Sequence, residues 1–323
     1  MVKIPKLEIS LGDPGGIGPE VALKALNSID RAIRVALHGP ESLKQQPLIE
    51  DLLKKIAQNP YLSELTWQYS DPCEIVPGID TKAHGLASFT AVQNASQNCQ
   101  NEPSRALVTA PISKHAWSLA GIPYQGHTDY FQSISKAPLS MAFHSPHFNV
   151  VLHSIHIALA KVPATIRPDT LKVTLDNAVQ FGRLLGISKP KIAIAGLNPH
   201  AGENGLMGDE ERGVIEPFVR DHQSDQFEFV GPFSPDTLFR MTQSHGIDII
   251  IALYHDQGLI PLKLLDFDSA VNITIGLAFF RSSPDHGTAY DIAYQNIANP
   301  ASMKEAIKAA IRYCDTHDSQ VHP

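Results

Sequence analysis

The chain of 323 residues holds only three cysteines, Cys73, Cys99 and Cys314, widely spaced and in no CxxC pair. A disulfide framework is thereby excluded, and a reducing, cytoplasmic setting is expected. Long apolar runs are also missing. The longest, at residues 247–253 and 271–280, fall well short of a membrane span. Residues 1–10 carry lysines but no apolar stretch ahead of a small-residue cleavage site, so no export signal is expected. Lys and Arg are scattered, and the net charge is −7. Nucleic acid and membranes are therefore not expected partners. No internal repeat occurs, and no low-complexity segment apart from a polar tail at 315–323.

What is present suits a globular protein. The apolar fraction of 43% is enough for a packed core, and the length suits two domains. Short apolar runs at 7–11, 33–37, 106–109, 150–155, 192–197 and 249–253 alternate with polar turns and segments of helical period. After Pro168, Leu171, Leu175, Ala178, Gly182 and Leu185 recur at steps of three or four, and Gly186 is placed to end that helix. Further helices are expected after Pro235-Asp236 and through 303–313. Strands alternating with helices imply an α/β fold with parallel strands covered on both faces.

A glycine-rich loop, residues 12–18 (Gly-Asp-Pro-Gly-Gly-Ile-Gly), follows the first strand, with Pro19 and Glu20 suited to a first helical turn. It is neither a GxGxxG fingerprint nor a Walker loop. A structural turn and a cofactor contact both remain open for it. Three histidines follow three of the apolar runs: His156, His200 in Asn198-Pro199-His200-Ala201-Gly202-Glu203, and His255 in His255-Asp256-Gln257-Gly258. Ends of strands are where α/β sheets bind ligands, and three imidazoles with open positions suit a catalytic metal. Three separately hydrogen-bonded loop histidines would look the same in sequence. His144, His147 and His153 are read as structural. A second group suits an anion: His127 and Thr128 beside a helix start, and Lys263 and Arg281 flanking the run that holds Asn272.

The blocks GDPGGIGPE, GHTDY, LNPHAGENG, GPFSPDTLF, YHDQGL, AVNITIGL and RSSPDHGTAYDIA stand in this order. Through them the chain resembles the 4-hydroxythreonine-4-phosphate dehydrogenase family of pyridoxal phosphate synthesis. The resemblance implies an isocitrate/isopropylmalate-dehydrogenase-like fold, two α/β domains sharing a central sheet with a cleft between them. One domain is expected at 1–126 plus 285–323, on the cofactor side, and the other at 127–284. The resemblance also implies a homodimer with an active site shared between subunits, NAD or NADP, and one divalent ion (Zn, Mg or Co). It makes His156, His200 and His255 the metal ligands. His127, Thr128, Lys263, Asn272 and Arg281 become substrate contacts, and Asp236 an acid near the site.

The implied reaction oxidises 4-phosphooxy-L-threonine to a β-keto acid that then loses CO2, with Lys263, His127 or Asp236 available to move protons. Departures from the family pattern at Gly16, Asp129, Ala158, Asn204 and Pro284, and in the segment after YHDQGL, remove none of these ligands. Substrate choice stays open to a paralogous branch acting on D-threonate or D-erythronate 4-phosphate. A metal-dependent hydrolase or a non-catalytic binder of phosphorylated ligands would act without nicotinamide. In the shared-site expectation His156 and His200 are neighbours in one chain, and His255, Lys263 and Asn272 reach across from the other, with the apolar segment 259–262 at the contact. The alternative is that all three histidines meet within one subunit and 259–262 is local core.

Overall fold

The protein is described here by a computed structural model covering residues 4–321, with side chains described through residue 316. The chain begins with β1 (Lys6–Ser10), α1 (Gly18–Asn27), β2 (Ile33–Gly39), α2 (Pro47–Ile56) and β3 (Leu62–Tyr69). It continues through α3 (Lys82–Asn101), β4 (Ala106–Thr109), α4 (Lys114–Leu119) and α5 (His127–Ile134). Next come β5 (Ser140–His144), β6 (Asn149–Leu152), α6 (Pro168–Leu184), β7 (Lys191–Ala195), α7 (Glu216–Asp221) and β8 (Glu228–Phe233). α8 (Pro235–Met241), β9 (Ile249–Ala252) and α9 (His255–Asp266) follow, and β10 (Val271–Ile275), β11 (Phe280–Pro284) and α10 (Ala301–Val321) close the chain. The polar tail expected at 315–323 starts inside α10, and its last residues lie outside those described.

Two compact units emerge, Met1–Ala137 with Val271–Pro323, and Pro138–Ala270. These boundaries differ from the expected 126/127 and 284/285. β11 pairs in parallel with β4, and β10 pairs with β11, so both strands belong to the first unit. α5 stays there as well, because His127 and Tyr130 pack edge-on against Trp117 and Phe89 of the preceding helices. His127, Thr128, Asn272 and Arg281 thus fall in the first unit, and Asp236, Lys263 and the three histidines in the second.

In the first unit the strand order is β3-β2-β1-β4-β11-β10; all pairs are parallel except β10 with β11. In the second it is β5-β6-β9-β7-β8, antiparallel only between β5 and β6. The expected α/β pattern is present, with one antiparallel pair in each unit. Central strands read as unbroken apolar runs because both faces are covered: all of β9, Ile-Ile-Ile-Ala, is buried. Ile250, Leu152, Ala193, Leu238 and Leu262 share one core in the second unit. Each large aliphatic side chain there contributes roughly 1.5–3 kcal/mol. α6 buries Leu171, Leu175, Ala178 and Gly182 as its spacing requires, and Gly186 leaves it at φ +81.

The glycine-rich loop resolves as a packing device. Residues 11–20 are all buried. A Cβ at Gly12, Gly16 or Gly18 would lie 2.2, 2.9 and 2.4 Å from the carbonyl oxygens of Pro111, Thr288 and Leu11. Protein backbone fills the space that only glycine leaves at these three positions, as a tight strand-to-helix turn requires. Asp13 pins the loop by accepting from the Gly15 N–H at 2.8 Å and from the Tyr290 hydroxyl at 3.0 Å. The cysteines are inert by environment: Cys99 and Cys314 are buried, and burial pushes the Cys73 thiol up to about 11.

Candidate active site

Two side-chain groups carry chemistry, one in each unit. In the second unit β9 runs into α9 with Tyr254 as the extended residue before the helix and His255 at its first position. Gln257 holds that junction: its side chain accepts from the Leu253 N–H and donates to the Gly196 carbonyl, each at 2.7 Å. Gly258 is required by close packing, since a Cβ would lie 2.8 Å from Leu152 and 2.9 Å from Val150. The run Tyr-His-Asp-Gln-Gly is therefore a means of holding an imidazole at the carboxyl end of a strand.

The His255 ring lies with its centroid 5.6 Å from that of His156, and both line a cavity of about 250 Å³ together with Tyr254, Asp256 and Leu159. His255 Nδ1 is 2.6 Å from Asp256 Oδ1. That contact puts the proton on Nδ1 and leaves the Nε2 lone pair outward, as a metal-ligating histidine needs. His200 repeats the arrangement, with Nδ1 2.7 Å from Glu203 Oε2. It does not join the other two. His200 is absent from that cavity's lining, and no three His, Cys, Asp or Glu side chains gather as a metal site among the described residues. The expected pairing is corrected here: within one chain the neighbour of His156 is His255, because β6 and β9 are adjacent strands whereas His200 stands on a separate turn after β7.

That turn is left-handed. His200, Ala201, Gly202, Glu203 and Asn204 have φ of 52, 53, 80, 45 and 55°. Each L-residue in this region costs roughly 1–2 kcal/mol. The turn is secured by buried Glu211, which accepts from the Asn198 backbone N–H at 2.8 Å and its side-chain amide at 2.9 Å. Strain held in place by dedicated bonds is characteristic of functional segments. The histidines read as structural are engaged with protein: His153 bonds Thr174 and the Thr165 carbonyl, and His147 faces Asp266.

Asp236 and Lys263 are less enclosed. Asp236 is exposed at the start of α8, 2.5 Å from the Ser234 hydroxyl. Lys263 is exposed in the last turn of α9. The apolar segment after His255 is helix rather than loop, and it divides. Leu259 and Leu262 are core, whereas Ile260, Leu264 and Phe267 form an exposed stripe at 66, 81 and 62%.

In the first unit Arg281 is only 4% exposed and lies over the Phe131 ring, 5.4 Å from its centroid. Its Nε and Nη2 donate to Thr109 Oγ1 at 3.1 and 2.6 Å, and Nη1 donates to Thr274 Oγ1 at 3.0 Å. Among the described residues it has no carboxylate partner. Burial alone pulls the guanidinium down to about 9, so it remains charged at neutral pH. His127 opens α5, with Gly126 ahead of it offering no side-chain cap. Its Nε2 and the Asn272 Oδ1 are buried with no hydrogen-bond partner among the described residues. Thr128 is half-buried beside it. Sequence reasoning missed Thr109, Thr274 and Lys114. Thr109 could have been found as the last residue of β4, where an α/β strand presents its ligand groups. Lys114 runs past the Gly126 backbone, where a Cβ would meet its Cε at 3.5 Å.

Burial, with Arg281 and then Lys114 adding to it, holds the His127 ring well below the ordinary histidine value. The unfolded chain takes up this proton first, so the neutral ring's contribution to stability is full above about pH 6.5 and declines below it. In ligand-free protein the His127 ring signals should show no protonation step in NMR near that pH. Inorganic phosphate should bring the step back upward. A ring that titrates like an exposed histidine without ligand would contradict this sealed, neutral state.

The family described as pyridoxal phosphate biosynthetic protein PdxA matches residues 20–310. The chain belongs to the PdxA family. It is 42% identical over 324 residues to a 4-hydroxythreonine-4-phosphate dehydrogenase of Sulfurihydrogenibium, covering 95% of this chain and 97% of that one. It is also 34% identical to a D-threonate 4-phosphate dehydrogenase of Pectobacterium atrosepticum, covering 95% and 98%. The crystal structure of 4-hydroxythreonine-4-phosphate dehydrogenase from Klebsiella pneumoniae superimposes with a TM-score of 0.83 at 32% identity, covering 97% of this chain and all of that one. This PdxA protein is thus an oxidoreductase with the α/β fold of its relatives, and no described helix is long and apolar enough to cross a membrane.

Proposed function

We propose that this PdxA protein oxidises 4-phosphooxy-L-threonine to 2-amino-3-oxo-4-phosphooxybutanoate, which loses CO2 to give 3-amino-2-oxopropyl phosphate on the route to pyridoxine phosphate (vitamin B6). The observation that carries the reading is Arg281, a buried guanidinium satisfied among the described residues by neutral hydroxyls alone, which shares the Phe131 ring with His127 and its orphaned Nε2. A buried cation without a counter-charge is costly unless an anion arrives, and a phosphate monoester supplies one with several acceptor oxygens. His127, Thr128, Asn272 and Lys263 are assigned to the same substrate, as hydrogen-bond partners and a point charge. His127 suits the task as a neutral ring that donates through its one N–H.

His156, His200 and His255 suit an ion that takes imidazole, Zn or Co rather than Mg, two of them with carboxylates at Nδ1 that leave Nε2 as the ligand atom. When bound, that ion would supply Lewis-acid stabilisation of the negative charge developing on the substrate, and NAD or NADP would act as the two-electron oxidant. Asp236 and Lys263 are the groups assigned to proton movement. Decisive support would be metal-dependent absorbance growth at 340 nm on mixing protein, nicotinamide dinucleotide and 4-phosphooxy-L-threonine. Faster turnover of D-threonate or D-erythronate 4-phosphate would move the protein to the paralogous branch, and no reduction with any of the three would end the dehydrogenase reading.

The protein works as a homodimer in this proposal, with active sites shared between copies. The stripe of Ile260 and Leu264 on α9 and Phe267 just after it, extended by Leu265 at 55%, is too apolar to be left in water. It runs along the later turns of the helix that His255 opens, and one chain by itself gathers two of the three ligand histidines. A second copy covers the stripe and completes the ligand set. Leu264→Asp should convert the dimer to monomer in sedimentation velocity at micromolar protein and remove most activity. An unchanged sedimentation coefficient would place the interface elsewhere.

A further inference from the structure

We propose that Thr109 and Thr274 are positioning residues for phosphate recognition, acting through Arg281; this rests on the phosphate-site reading above. Strand register brings the three together. Arg281 on β11 lies opposite Thr274 on β10, so both side chains leave the same face. On the other side Arg281 is in register with Leu107 of β4, and Thr109 is two residues further on that strand. Thr109 is fully buried and Thr274 nearly so.

Donor arithmetic gives the arrangement its meaning. A guanidinium has five N–H groups in one plane. Three are engaged: Nε and Nη2 converge on the Thr109 hydroxyl, and Nη1 takes that of Thr274. Two N–H groups remain, one on each terminal nitrogen, and a phosphate can take both in a bidentate contact. The two hydroxyls fix rotation within the plane, and the Phe131 ring below fixes the plane itself. Because threonine is neutral, it orients the cation without cancelling its charge. A carboxylate in either place would hold the fork equally well and leave little attraction for a phosphate.

The test uses Thr109→Val, which keeps the shape and removes the acceptor, with Thr109→Ser as the conservative variant. Thr109→Val should raise KM for the phosphorylated substrate about tenfold or more and weaken competitive inhibition by inorganic phosphate in parallel. kcat and dinucleotide affinity should stay within a few-fold, and Thr109→Ser should restore KM. A loss confined to kcat, or spread equally over dinucleotide affinity, would mark a merely structural threonine and overturn the proposal. Arg281→Lys runs alongside. If it raises KM and Thr109→Val does not, the positioning role fails while the phosphate site stands. If neither raises KM, the phosphate-site reading itself falls. Should Thr109→Val not fold, Thr274→Val removes the partner of a single N–H, and an unchanged KM there overturns the proposal.

Discussion

Replacing His255 or His156 with alanine is expected to lower kcat on the order of 10³-fold, the equivalent of about 4 kcal/mol of lost transition-state stabilisation. The protein should remain folded. His156 is exposed and the His255 side chain is about a third exposed at 35%, so neither truncation opens a cavity in the core. Chelation should reproduce the loss, with recovery on adding a divalent ion. Full activity of His255→Ala, or of chelated protein, would falsify the metal assignment. Mixed dimers then read out how the ligands are distributed. With His156 and His255 on one chain and His200 from its partner, mixtures of His156→Ala and His200→Ala subunits regain one intact site per heterodimer. Mixtures of His156→Ala and His255→Ala stay inactive. The distribution expected from sequence, His156 with His200, reverses these two outcomes. If all three ligands come from one chain, no mixture recovers.

Arg281→Lys is expected to raise KM for the phosphorylated substrate on the order of 100-fold, with kcat and dinucleotide affinity little altered. The charge is kept and the fork is lost. Lysine cannot reach Thr109 and Thr274 and still present two coplanar N–H groups. Each hydrogen bond to a charged group contributes about 1.5–3 kcal/mol, so losing or misaligning the bidentate contact accounts for that magnitude. The measurement is steady-state kinetics, with thermal unfolding as a control because Arg281 is buried. Unchanged KM would move the phosphate site elsewhere.

Much of this was legible before the fold was known. Strands β1, β2, β4, β6, β7 and β9 were, because strands buried on both faces leave unbroken apolar runs such as that of β9, whereas β3 at the sheet edge has no buried residue and leaves no such run. α6 was legible because one face of it packs inward at helical spacing. The polar blocks drew attention for a physical reason too: polar side chains at a strand end, whether exposed or buried as in 11–20, need partners that an apolar core does not supply.

Only the tertiary structure decided what those blocks do. Glycines look alike in sequence whether a ligand or the protein's own backbone approaches them, and only the structure shows backbone carbonyls against Gly12, Gly16 and Gly18. Histidines at strand ends carry no record of which strands are adjacent; β6 lies against β9, and so His255, distant in sequence, is the neighbour of His156. The apolar segment after His255 could not be divided into core and surface until helical phase separated Leu259 and Leu262 from Ile260 and Leu264. Arg281 was visible as a charge, but not as a buried one without a counter-charge. That state depends on Thr109, Thr274 and Phe131, three residues from separate parts of the chain. Sequence determined which residue types were available for the chemistry. Strand order, register and burial determined which of them meet, because contacts between distant segments are fixed by packing and leave no local signature.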